Sequence, residues 1–264
     1  MGELKGGNMS EEKSDPWKQA PPHEVVVYPD AELLIGDVVD RLIIELVERQ
    51  ARASVVHIGV TGGGMGQALW PALAGRPGST DVEWAGVHVW FSDERFVPSG
   101  DPDRNDGAVL AAADDLGLPV ANIHSVLGPD SVLDVASAAR HYETELAAWA
   151  QPDAPVDAPV CCVSLLGIGP DGHVASLFPG FRADESATVV PIIDSPKPPP
   201  QRVSFTRATL RNCDQLWFMA SGEAKADAVA RALSGDDPVR TPAAGVHGRS
   251  RTLWFVDEAL ARRL

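Results

Sequence analysis

Positive charge is scarce in this chain: 22 Lys and Arg stand against 37 Asp and Glu in 264 residues, a formal net charge of −15. Such a balance repels nucleic acid and anionic membrane surfaces, so neither is expected as a partner. Cysteine is scarcer. Cys161, Cys162 and Cys213 have neither metal-ligand spacing nor the density of a disulfide scaffold, and the adjacent pair sits in an apolar run where it reads as small core hydrophobes. No apolar run approaches the roughly 20 residues needed to cross a bilayer, and the N-terminus lacks the hydrophobic core of a signal peptide, so a cytoplasmic location is expected. What remains, with 44% apolar residues, is enough for one large α/β domain.

Residues 1–22 are polar, with Gly and Pro, and predict a disordered lead; 23–264 are expected to form a single domain. Val25–Tyr28 reads as a strand and Asp30 as the cap of a helix to about Arg52, with Leu34, Val38, Leu42 and Leu46 as its apolar stripe. Ser54–Val60 predicts a strand that runs into Thr61, Gly62, Gly63 and Gly64 before a helix over Gln67–Leu73. A strand, glycines and a helix start make an anion cradle, because bare backbone N–H groups and the helix N-terminus both favour negative charge. The spacing is neither a Walker A loop nor a GxGxxG fingerprint, which disfavours a nucleotide and leaves phosphate open.

Val87–Phe91 is the next expected strand, ending in Asp93, Glu94 and Arg95. Consecutive charges at the end of an apolar strand must face solvent or a site; Arg95 can fork onto a phosphate or a carbonyl oxygen, with Asp93 and Glu94 orienting it or binding hydroxyls. Asn105 either contacts ligand or caps a helix beginning near Asp106. From Ala108 to Trp149 the pattern is helical with one break, in which His124 reads as structural; the second helix, about Ser131–Ala150, buries Val135, Ala139, Tyr142, Leu146 and Trp149. Lys197 and Arg202 flank three consecutive prolines, whose stiffness holds two cations in place at little entropic cost. Strands follow at Val203–Thr206, Leu216–Ala220 and Thr252–Val256, and Ser221–Lys225 opens a helix on which Lys225 reads as a surface residue.

The most informative stretch is Leu165–Gly180, LLGIGPDGHVASLFPG. A buried strand from Val160 breaks at Gly167, Gly169 and Pro170 and sets Asp171, Gly172 and His173 on a turn before an expected helix start at Val174–Phe178. In α/β proteins such a turn delivers side chains to the carboxyl edge of the sheet. Asp171 can fix the tautomer of His173 or cap the next helix.

Five ordered segments, TGGG at 61–64, FSDERFVP at 91–98, LGIGPDGHVASLFPG at 166–180, SPKPPPQR at 195–202 and SGEAK at 221–225, together resemble the 6-phosphogluconolactonase family. The resemblance implies a three-layer α/β/α, Rossmann-like fold with a mainly parallel sheet, as in sugar-phosphate isomerases and deaminases. It implies hydrolysis of 6-phospho-D-glucono-1,5-lactone to 6-phosphogluconate, the second step of the oxidative pentose phosphate pathway, without metal or organic cofactor. The sugar-phosphate lactone is the one expected partner of a monomer or small homo-oligomer. By the same resemblance His173 is the general base supported by Asp171, Gly62–Gly64 with Lys197, Arg202 and Arg95 hold the phosphate, and Asp93, Glu94 and Gly172 complete the substrate contacts. Two departures matter. Gly64 and Met65 stand where a hydroxyl residue is common, so only backbone donors remain there, and the segment after the turn, Val174-Ala175-Ser176, lacks the acid that related deaminases carry.

Overall fold

The computed structural model describes residues 22–152, 154–182 and 186–264; the expected lead lies outside them, Pro22 apart. The chain runs β1 (His23–Tyr28), α1 (Ala31–Gln50), β2 (Val56–Val60), α2 (Gly63–Ala74), β3 (Val87–Phe91), β4 (Asp93–Arg95), α3 (Asp106–Leu116), β5 (Ile123–His124) and α4 (Val135–Ala147). It continues through β6 (Cys161–Gly167), β7 (Val189–Ile192), β8 (Arg202–Phe205), α5 (Arg207–Arg211), β9 (Cys213–Ala220), α6 (Ala226–Leu233), β10 (Arg251–Asp257) and α7 (Glu258–Ala261). Seven strands form a parallel sheet in the order β1-β10-β9-β6-β2-β3-β5. The expected α/β architecture with a mainly parallel sheet is what the chain adopts.

Alternation along the strands builds the layers, because successive side chains leave a strand on opposite faces. Val163, Leu165, Trp217, Met219, Leu253 and Phe255 join α1, α2 and α3 in one core, whereas Leu166, Leu216, Phe218, Trp254 and Val256 join α4, α6 and Leu260 of α7 in the other. Strands covered on both faces read as near-continuous apolar runs, and β6, buried from Cys161 to Leu166, is apolar there apart from Ser164. Helix α1 shows the energetics. Asp30 caps it by accepting from the Leu33 N–H at 2.9 Å, and Leu34, Val38, Leu42 and Leu46 are all fully buried, each worth about 1.5–3 kcal/mol.

The structure departs from the sequence expectations in four places. Helix α2 starts at Gly63, so the glycines form its first turn rather than a loop before it. Val174–Phe178 does not begin a helix: Ala175 takes a φ of 50°, and Val174 and Leu177 bond each other's backbone across a tight turn. Two-residue β5 lies in the break before α4, and β4 and β7 pair with β8 in a small antiparallel sheet of order β4-β8-β7. Trp149 lies past the end of α4 and is 38% exposed.

Trp149 instead covers a cluster on β2, β3 and β5. Its ring lies 4.3 Å from that of His88 and 5.2 Å from that of His57, while Trp90 stacks on His124 at 3.6 Å. Trp90 Nε1 donates to His57 Nδ1 at 3.1 Å. His124 Nδ1 meets Glu145 at 2.6 Å, which leaves His124 Nε2 to accept from His88 Nδ1 at 2.9 Å. Burial, and then the neighbouring charges of His88 and His124, press His57 down to about 4; His88 is lowered by burial and by His124. The unfolded chain therefore binds more protons than the folded one between about pH 4 and about pH 6.5. The stabilisation is complete above that window and is lost as pH falls through it. His57→Asn keeps an acceptor for Trp90 and cannot titrate, so the fall in Tm between about pH 7 and about pH 5 is expected to be smaller in this variant than in the parent by differential scanning fluorimetry; an equal fall would remove His57 as a source of acid sensitivity.

Candidate active site

In the sheet order the chain moves from β2 to β3 and β5 on one side and then returns to lay β6, β9 and β10 on the other. The connections diverge between β2 and β6, and the crevice beyond the carboxyl ends of such strands is where open α/β sheets bind ligands. A cleft of about 340 Å³ occupies that place. Thr61–Met65 after β2 and Gly167–Pro170 after β6 form two of its walls, and Asp93, Arg95, Asn105, His173, Lys197, Arg202 and Lys225 face it.

His173 and Asp171 meet on the turn after β6. His173 Nδ1 lies 2.5 Å from Asp171 Oδ1. Burial works against ionisation of Asp171, but the bond from His173 and the charges of His173 and Lys197 outweigh it and hold the carboxyl well below the usual carboxylate range. An ionised Asp171 at that distance fixes the proton on Nδ1 and leaves the Nε2 lone pair able to accept a proton. Lys197 Nζ lies 3.1 Å from Nδ1 and 3.5 Å from Asp171 Oδ1; since Nδ1 carries the proton, the ammonium pairs with the carboxylate. Phe178 closes the other side, its ring 4.8 Å from the imidazole.

The phosphate cradle expected from the glycines is the first turn of α2. Gly62 supplies no side-chain cap, and a Cβ on Gly63 or Gly64 would meet open space, so nothing screens the N–H groups that a helix start leaves without partners. Four cations face the same cleft in a chain of strongly negative charge. Arg202 is largely engaged: Nε and Nη2 donate to the carbonyls of Pro199, Lys197 and Pro198 at 3.0–3.1 Å, so it braces the proline loop that carries Lys197. Arg95 Nη1 donates to the Asp103 carbonyl, while its Nε is buried without a partner. Lys225 is half-buried, and burial, then the charge of Lys197, press its ammonium below the ordinary lysine value.

The structure brings together Gly62, Gly63, Gly64, Asp93, Arg95, His173, Lys197 and Arg202 in the cleft wall, with Asp171 behind His173. It does not bring Glu94 or Gly172 there. Gly172 sits inside the turn, where its carbonyl accepts from Ala243. Glu94 is fully buried: Oε1 accepts from the N–H groups of Arg95 at 2.8 Å and Asn105 at 2.7 Å, and Oε2 from Asp106 at 3.0 Å. It fastens the loop between β4 and α3, beside Arg104, which pairs with Asp106 at 2.6 Å. Asp93 is tied in place by Ser176, whose hydroxyl donates to Oδ2 at 2.7 Å. Lys225, expected at the surface, also faces the cleft; a lysine shortly beyond a strand end and a glycine was the available signal. Among the described residues no group of three or more His, Cys, Asp or Glu side chains is arranged to hold a metal ion.

The family described as glucosamine-6-phosphate isomerases/6-phosphogluconolactonase matches residues 29–254. The chain belongs to this family. The 6-phosphogluconolactonase of Streptomyces coelicolor is 42% identical over 247 residues, covering 91% of this chain and 94% of that protein. The 6-phosphogluconolactonase of Mycobacterium tuberculosis is 39% identical over 245 residues, with 91% and 98% covered. In fold, the solved structure of 6-phosphogluconolactonase from Trypanosoma brucei superposes with a TM-score of 0.78 at 22% identity, over 93% of this chain and 100% of that one.

The position of Glu94 leads to a test of its role. Glu94→Gln turns one carboxylate oxygen into a donor facing a backbone N–H, and unfolding by urea is expected to show a loss of about 1–3 kcal/mol. Unchanged stability would mean that the carboxylate does not fasten the loop.

Proposed function

We propose that this chain is a 6-phosphogluconolactonase that hydrolyses 6-phospho-D-glucono-1,5-lactone to 6-phospho-D-gluconate. The observation that carries the reading is the His173–Asp171 pair opening on a cleft that has an uncapped helix start and several cations. Relatives of this name across nearly the whole chain support it.

The phosphate lies against the first turn of α2, with Lys225, Lys197 and Arg202 of the same cleft supplying the positive potential. Anchored there, the lactone presents C1 to His173. Nε2 takes a proton from a water molecule as its oxygen bonds to C1, and the carbonyl oxygen becomes the tetrahedral oxyanion. The Gly172 and Val174 N–H groups donate to Gly169 and Leu177 within the turn, so the unpartnered Nε of Arg95 is the better oxyanion donor. Collapse breaks the bond from C1 to the ring oxygen, and the imidazolium returns its proton to that oxygen. Asp171 stays ionised throughout. No step calls on a metal. A sugar-phosphate isomerase or deaminase would need a free carboxylate base at C2, but the turn continues as Val174-Ala175-Ser176 and the cleft carboxylate, Asp93, is held by Ser176.

Freshly generated 6-phosphogluconolactone should be turned over with or without EDTA, the unphosphorylated lactone poorly, and glucosamine 6-phosphate should release no ammonia. His173→Ala is expected to lower kcat by about 10²-fold or more, whereas Lys225→Ala should mainly raise KM. Near-parental kcat in His173→Ala would refute the assignment of the base.

A further inference from the structure

Asn105 is buried, 4% exposed, and faces the cleft. Its Nδ2 donates to the Asp93 carbonyl at 2.7 Å and lies 3.4 Å from Asp93 Oδ1. Two acceptors on that side settle which end of the amide carries nitrogen, because the reversed group would set oxygen against oxygen. Its Oδ1 therefore points the other way, and it makes no hydrogen bond within the protein. The oxygen leans over the wall of the cleft at Gly62, where a Cβ would stand 1.7 Å from it. The backbone N–H is already held by Glu94 and the side chain makes no cap bond to α3, so neither the loop nor the helix start uses this oxygen.

A buried amide oxygen without a donor carries a desolvation cost that a ligand hydrogen can relieve. It can accept only, so it repels a phosphate and a carboxylate and suits a neutral hydroxyl. We infer that Asn105 Oδ1 is a specificity-determining acceptor for one ring hydroxyl of the sugar, set beside the helix start that takes the phosphate. Asp93 aligns Asn105, and Ser176 and Glu94 hold Asp93 and the loop, so a polyhydroxylated lactone is oriented by a rigid acceptor that adjoins the backbone donors. The inference rests on the lactonase reading and adds to it a residue that selects among phosphorylated lactones.

The test is a panel of 2-, 3- and 4-deoxy 6-phosphogluconolactones, compared with the full substrate on the parent chain, on Asn105→Ala and on Asn105→Ser, whose hydroxyl is too short to reach the Gly62 wall. In the parent, removal of one hydroxyl should cost about 10- to 10²-fold in kcat/KM. Both variants should lose activity on the full substrate while that ratio collapses to about 2-fold or less. A parent that handles all the deoxy lactones within about 2-fold overturns the inference without recourse to a variant. So does a folded variant that loses activity but keeps the parental ratio, since that marks a structural role. Absence of turnover on the fully hydroxylated lactone would remove the lactonase reading and the inference with it.

Discussion

A Cβ at position 169 would stand 2.0 Å from both Cε1 and Nδ1 of His173 and 2.4 Å from Asp171 Oδ1. The imidazole and its carboxylate thus converge in space that exists because residue 169 has no side chain, and most of the cleft is arranged about that convergence. Val174 and Leu177 lock the turn behind the ring, Phe178 closes its open face, and Lys197 compensates the carboxylate. The packing restricts how the imidazole can turn and Asp171 fixes its tautomer, as the proposed role of an oriented base would require.

The orientation would be useless without an opposite wall, and topology supplies it. Diverging connections leave the carboxyl ends of β2 and β6 side by side, so the helix start after one faces the histidine turn after the other. The strands approach closely there: a Cβ on Gly59 would fall 2.4 Å from the Ser164 hydroxyl of the neighbouring strand. The small antiparallel sheet then ties the charged end of β3 to the proline loop through the pairing of β4 with β8. Arg95, Asp93 and Arg202 reach the cleft from elements fixed to one another by backbone bonds rather than from independent loops.

Much of this was legible in the sequence because it rests on local rules. Asp30 caps α1 as its chemistry requires, the stripe of α1 is buried at every expected position, and the apolar runs of β3 and β6 fall where they were expected. The departures share a physical origin in tertiary context. Glycine has poor helix propensity, so the sequence predicts a loop at the first turn of α2, yet a helix start without side chains is what an anion cradle requires. Ala175 in the left-handed region carries no sequence signal, and neither do two- to four-residue strands such as β5 and β7, too short to show a pattern of their own. Glu94 looked like a site residue for the reason that any charge beside a site does; what distinguishes it from Asp93 is which way the strand turns it. Lys225 ends a short 3-10 turn after β9, and that turn sets it into the cleft while its neighbours Glu223 and Ala224 stay exposed.

The contrast between a strongly anionic chain and a cation-lined cleft shapes how a phosphorylated ligand arrives. Far from the surface it meets the summed negative charge, which dissolved salt screens over a Debye length of about 10 Å at 0.1 M; inside the cleft it meets Lys197, Arg202 and Lys225, too close to be screened as strongly. Raising ionic strength therefore removes more of the long-range barrier than of the local attraction, and encounter rates would rise with salt at first, opposite to the behaviour of enzymes that draw anions in by a basic surface.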